Sequence, residues 1–290
     1  MKPLITFSIL LFLSLSAQSQ TLSAYKIYNT KGVEVSFNEL IIKSLSAEIV
    51  FFGELHNNPI AHWLQLEMIK AFRAQTLRHI TVGAEMFESD NQLIIDEYLR
   101  GIIPEKNFEE EAKLWSNYKT DYKPIVLFAK DNGIPIIATN TPRRYASMVS
   151  RGGFEALDSL SDEAKMLIAP LPFPYDPELP GYKAMTKMPT MHLTKISPEN
   201  LAKAQALKDA TMAHFTLKYL KDRGLFVHLN GSYHTQNKEG LYWYIMQQLN
   251  NIEMVSISTI SVPNVDSVGL DDLQTADYTI CVDEDMTNTY

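Results

Sequence analysis

Glu48-Ile49-Val50-Phe51-Phe52-Gly53-Glu54-Leu55-His56-Asn57-Asn58-Pro59 joins a short unbroken apolar run to a polar turn and a helix start. An apolar run of this length without strict alternation reads as a strand buried on both faces. Asn58 before Pro59 is an N-cap followed by a proline at the first helical position, so the helical spacing of residues 59–74 begins at once. A strand followed directly by a helix is the unit from which parallel sheets are built.

The same unit recurs along the chain. Residues 48–53, 79–83, 134–139, 225–229, 254–260 and 278–282 read as strands, and residues 59–74, 92–100, 124–132 and 241–249 as helices between them. Gly133 follows the third of these helices as a C-cap. Ahead of them, Tyr25-Lys26-Ile27-Tyr28, Asn29-Thr30-Lys31-Gly32 and Val33-Glu34-Val35-Ser36-Phe37 give alternation, turn residues and alternation, which predicts an N-terminal β-hairpin. The expected fold is α/β, a mostly parallel sheet flanked by helices. Residues 145–222 break the rhythm with a proline-rich stretch at 170–182 and a long helix at 198–223, and contain no strand candidate. They read as a smaller helical insertion or lid.

Composition narrows the function. The 290 residues are 46% hydrophobic, enough for a packed core, and 26 Lys and Arg face 34 Asp and Glu. A net charge of -8 argues against nucleic acid as a partner. The single cysteine, Cys281, excludes an internal disulfide and sulfur-paired cofactor sites. Residues 1–20 carry a basic start, an apolar run and small residues at Ser16-Ala17-Gln18-Ser19-Gln20, which reads as a signal peptide cleaved near Ser19 or Gln20. The apolar run is too short for a permanent span, so residues 21–290 are expected as an exported chain with no transmembrane segment, periplasmic or secreted. No cysteine follows the run, so a lipoprotein anchor is not expected.

In a parallel sheet, loops leaving the carboxyl ends of the strands converge on one crevice. Here those loops carry Glu54 and His56, then Glu85, then Arg143 and Arg144, then Ser232, Tyr233 and His234. Glu54 and His56 are two apart, so their side chains point to one side of an extended segment, where they serve as ligands for a divalent metal or as a proton shuttle. The alternative is a capping loop in which both satisfy backbone groups. Glu85 needs a partner if buried. It is either ion-paired to Arg143 or Arg144, or acts as metal ligand or general base. Ser232 lacks the second glycine of a nucleophile elbow. The proline-rich stretch places Phe173, Tyr175 and Tyr182 near Met185, Met188 and Met191. That is either lid packing or an apolar wall for a flat aromatic ligand, with a tyrosine for ferric iron. His79, His192 and His214 read as structural or solvated.

Phe52-Gly53-Glu54-Leu55-His56-Asn57-Asn58-Pro59 and Gly83-Ala84-Glu85-Met86-Phe87-Glu88 resemble the signature of the ChaN-type haem-binding proteins of the Tiki superfamily. Tyr122-Lys123-Pro124-Ile125, Asn140-Thr141-Pro142-Arg143, Asp209-Ala210-Thr211-Met212-Ala213 and Gly231-Ser232-Tyr233-His234 follow in the family's order. The resemblance implies a parallel-sheet domain with a smaller helical part, export, and noncovalent haem bound for iron acquisition. It also admits a homodimer, since family members can hold paired haems across one with tyrosine ligation. Arg143 and Arg144 are then candidates for the haem propionates. Tyr175, Tyr182 and Tyr233 are candidate haem contacts, with Tyr175 and Tyr182 chosen on composition and not carried over from the family. Within the wider superfamily the chain is similar to metal-dependent hydrolases, for which Glu54, His56, Glu85 and His234 would be both the divalent-metal ligands and the catalytic set.

Overall fold

A computed structural model describes residues 22–187 and 197–290. The signal segment, Met188, Met191 and His192 lie outside the described residues. The chain opens with the hairpin β1 (Tyr25–Asn29) and β2 (Glu34–Val35), then α1 (Phe37–Ser44) and β3 (Ile49–Glu54). It continues through α2 (Pro59–Gln75), β4 (Ile80–Glu88), α3 (Gln92–Leu99), α4 (Glu105–Glu111), a π turn (Tyr118–Tyr122), α5 (Lys123–Asp131) and β5 (Ile136–Asn140). The helical block holds α6 (Arg143–Gly152), α7 (Asp162–Lys165), α8 (Pro180–Thr186) and α9 (Pro198–Tyr219). The chain finishes with β6 (Leu225–Gly231), α10 (Gly240–Gln248), β7 (Met254–Val262), α11 (Leu270–Leu273) and β8 (Tyr278–Asp283).

The eight strands form one sheet in the order β2-β1-β8-β7-β3-β6-β4-β5. The six strands from β8 to β5 are mutually parallel, and the hairpin joins the β8 edge antiparallel. Its turn uses Gly32 at φ 73°, and Asn29 Oδ1 accepts from the Lys31 and Val33 amides at 2.9 and 3.1 Å. The continuous apolar run of β3 follows from cover on both faces. Val50 and Phe52 pack with Leu64, Met68 and Phe72 of α2, while Ile49 and Phe51 pack with Met212 and Phe215 of α9 and Ile245 of α10. Each such buried side chain contributes about 1.5–3 kcal/mol.

From β3 the chain steps outward to β4 and β5, returns with β6 into the gap between β3 and β4, then crosses to β7 on the other side of β3. That reversal sets the carboxyl ends of β3, β6 and β4 next to one another, where open α/β sheets bind ligands. All six strand positions read from sequence are strands, and the described residues of the 145–222 block contain none. Other elements differ. Ser36 and Phe37, expected in the second hairpin strand, instead cap and start α1, with Ser36 Oγ accepting from the Glu39 amide at 3.1 Å. The sequence reading placed no helix at α4 or the π turn, and α9 ends at Tyr219, short of the expected 223. Strand β4 runs on past Gly83 to Glu88, with a register shift against β5 between Ala84 and Glu88, so Glu85 lies within the strand.

Candidate functional site

Strand β3 ends on Glu54, and the loop to α2 closes tightly, with the Asn58 amide on the Leu55 carbonyl at 2.9 Å and Asn58 Oδ1 accepting from the Ala61 amide at 3.0 Å. The turn brings His56 back over Glu54, whose Oε1 accepts from Nδ1 of His56 at 2.9 Å. Tyr122 donates its hydroxyl to the same oxygen at 2.7 Å, and Gln65 donates to Oε2 at 2.6 Å. His62 Nδ1 stands 3.4 Å from Oε2. Burial pushes the Glu54 carboxyl up, but the His56 and His62 contacts outweigh it and hold the group at about 2. Burial likewise opposes charge on His56, yet the Glu54 hydrogen bond and the Glu85 charge leave its pKa raised. His62 is raised in the same way, with Glu54 and then Asp121 overcoming burial.

On β4, Glu85 Oε2 accepts from the Gly231 amide at 2.7 Å and Oε1 lies 3.1 Å from Nε2 of His234. The other ring nitrogen of His234 meets Asp209 Oδ1 at 2.5 Å, and Asp209 Oδ2 accepts from Tyr182 at 2.7 Å. Burial disfavours charge on His234, but the two flanking carboxylates raise its pKa to about 10, so both nitrogens donate. Glu85 is held well below the carboxylate range against its burial, chiefly by the His234 charge. The site is therefore a row of alternating acids and imidazoles crossing the ends of β3, β6 and β4.

Glu54, His56, Glu85 and His234, read separately from sequence, are thus brought together. Arg143 and Arg144 sit at the start of α6, one strand further out. Neither pairs with Glu85. Arg143 Nε lies 3.8 Å from Glu88, and Arg144 pairs with Asp90 while its guanidinium lies 4.4 Å from the Tyr145 ring centre. The offset follows from the extra length of β4, which carries Glu88 out to the arginines. Lys113 joins them, 2.7 Å from Asp90, and these cations line a cleft of about 480 Å³ together with Leu114, Trp115 and Ser147. Trp115 also meets the His56 ring edge to face at 4.9 Å, which joins the cleft to the acid–imidazole row.

The tyrosines divide. Tyr182 is buried and its hydroxyl is committed to Asp209, so it closes the row instead of facing a ligand. Tyr175 packs on Phe154 and Tyr182 at 5.2 and 5.8 Å, the lid-packing alternative. Tyr233 is 42% exposed, with its hydroxyl donating to the Gly181 carbonyl at 2.5 Å. Ser232 exchanges hydrogen bonds with the Thr259 backbone, which removes it as a nucleophile.

The set as it stands offers a divalent ion few open ligands, because Glu54 Oε1 already accepts from both His56 and Tyr122, and His56 Nδ1 and both nitrogens of His234 are committed to carboxylates. No group of three or more His, Cys, Asp or Glu among the described residues is set to hold a metal ion. An axial haem ligand needs only one open donor atom, and His56 offers one. Its side chain is 37% exposed and Nε2 has no hydrogen-bond partner among the described residues.

Sequence reading missed Gln65, Asn117, Asp121, Tyr122 and Asp209 as site residues. Tyr122 and Asp209 lie in motifs that carry the family resemblance, and Asp209 has a further signal as a charge on the buried face of an alanine-rich helix beside Ala206 and Ala210.

Fold and site together define a parallel α/β protein with a buried acid–imidazole cluster at the topological switch of its sheet. The family model described as haem-binding uptake, Tiki superfamily, ChaN, matches residues 40–245, and the chain belongs to that family. In fold it is similar to ChaN of Campylobacter jejuni, solved in a study of cofacial haem binding, at TM-score 0.66 and 18% identity over 88% of this chain and 96% of that one. A succinoglycan biosynthesis protein shares the architecture at TM-score 0.50 and 11% identity, covering 86% of this chain and 91% of that one. In sequence the chain is 23% identical over 208 residues to the chloroplastic protein RETICULATA-RELATED 5 of Arabidopsis thaliana, which takes in 67% of this chain but only 28% of the plant protein.

Proposed function

We propose that this chain is an exported haem-binding protein serving iron acquisition, with haem held noncovalently over the carboxyl ends of β3, β4 and β6. The observation that carries the reading is the state of His56. Its Nδ1 is fixed on a buried carboxylate, its Nε2 has no partner among the described residues, and the Trp115 ring stands at its edge. A carboxylate behind an imidazole fixes the tautomer and raises the basicity of the outer nitrogen, as it does behind metal-bound histidines generally. Bound there, haem would supply the iron. The protein would supply the imidazole, the apolar Trp115 and Leu114 wall, and the Arg143, Arg144 and Lys113 cations for the propionates. Membership of a haem-binding family supports the ligand, and the signal-like first 20 residues support export.

Titrating the purified chain with hemin tests the reading. A Soret band that saturates at a fixed ratio, and that weakens in His56→Ala, is expected. Binding no tighter than to an unrelated protein of similar charge would refute it. Mass analysis of the chain recovered from its host tests export, with a start near residue 20 expected.

A further inference from the structure

The π turn does more than connect α4 to α5. It presents Asn117, Asp121 and Tyr122 to the loop after β3, and all three are buried. Single π turns are uncommon and concentrate at functional sites. Asn117 Nδ2 donates to the His56 carbonyl at 2.9 Å and to Asp121 Oδ2 at 2.7 Å. His62, 3% exposed, sets Nε2 at 3.2 Å from the same His56 carbonyl and 3.4 Å from Asp121 Oδ2, while its other nitrogen faces Glu54. Thr289 donates to the remaining Asp121 oxygen at 3.1 Å. An acid and an imidazole buried side by side are costly unless fully bonded. Here nearly every bond they make ends on His56 or on a group that holds it.

We infer that His62 and Asp121 are positioning residues that lock the backbone and the ring tautomer of His56, leaving Nε2 bare for a ligand. The backbone is held through the shared grip of His62 and Asn117 on the His56 carbonyl. The ring is held through Glu54, which His62 and Tyr122 keep aimed at Nδ1. Asp121 orients both His62 and Asn117. This rests on the reading that Nε2 of His56 is the ligand-binding atom, but its test does not need haem.

Haem-free protein labelled with 15N in histidine reports the tautomer directly when measured on the alkaline side of the His56 titration. The wild type is expected to show Nδ1 protonated and Nε2 bare. In His62→Gln and Asp121→Ala the two shifts should move toward the exchange average, and the hemin dissociation constant should rise about ten-fold. Asp121→Asn keeps an oxygen for the Asn117 amide and should restore most of the wild-type pattern. Unchanged His56 shifts in folded His62→Gln and Asp121→Ala overturn the inference, as does an Asp121→Asn no better than Asp121→Ala. If His62→Gln does not fold, the two Asp121 variants decide. Failure of the wild type to bind hemin would overturn the haem reading and leave this comparison standing.

Discussion

Gly231 lies so close beneath the His56 ring that a Cβ built on it would meet Cε1 at 2.8 Å and Nε2 at 2.9 Å. Its backbone sits at φ -59° and ψ 140°, which any residue adopts, so alanine there changes the contact and not the chain path. The atoms it would strike belong to a ring held on Glu54 and against Trp115, which must give up part of those contacts to make room. Gly231→Ala should therefore lower the thermal midpoint by only a few degrees while weakening hemin binding about ten-fold. Calorimetry beside a hemin titration checks both halves, and a large drop in midpoint with unaltered binding would contradict the account.

The Glu85 carboxylate supports a buried imidazolium on one side and the Gly231 amide on the other. Glu85→Ala strips a counter-charge from a buried cation, which costs about 3–5 kcal/mol. Glu85→Gln keeps an acceptor for the Gly231 amide and should cost less. Urea unfolding of the two variants gives the comparison; both lack the charge, so equal losses would show that the acceptor for the Gly231 amide contributes nothing.

These pairs also set the pH dependence of stability. Glu54 falls from an ordinary 4.5 to about 2 on folding, so its contribution is present above 4.5 and is lost as pH falls toward 2. His234 rises from 6.5 to about 10, so its contribution is complete below 6.5 and is lost as pH rises through 10. Unfolding midpoints across this range should fall on both sides. Asp209→Asn should flatten the alkaline limb, and an alkaline limb identical to that of the wild type would exclude His234 as its source.

Much of this site was legible before the fold was known, for identifiable reasons. Glu54, His56 and His234 stand at or beside strand ends, which apolar runs mark clearly, and Glu85 lies inside β4 just past its last pairing with β6. Register within a run is harder to read. Because β4 continues to Glu88, the arginine partners are Glu88 and Asp90, not Glu85. Asn117 and Asp121 were hidden because a π turn follows neither the 3.6-residue nor the two-residue period. Tyr182 was misjudged as a ligand contact because composition cannot tell an aromatic wall from a tyrosine whose hydroxyl is bonded to a buried aspartate.

The cleft around Arg143, Arg144 and Lys113 holds three cations against Glu88 and Asp90, a surplus of positive charge. Arg143→Glu is expected to weaken hemin binding in low salt more than in high salt. Binding of the porphyrin dimethyl ester, which lacks the carboxylates, should not change. The side chain is 79% exposed, so stability should stay within about 0.5 kcal/mol of the wild type. Equal loss for acid and ester would mean the cleft does not receive the propionates.

The location of the iron is the most direct test of the whole account. An anomalous difference map from crystals of the chain loaded with hemin is predicted to place the iron peak within bonding distance of His56 Nε2, with the porphyrin edge toward Trp115 and Arg143. An iron peak on the helical block beside Tyr175, or anywhere away from the ends of β3, β4 and β6, would contradict it.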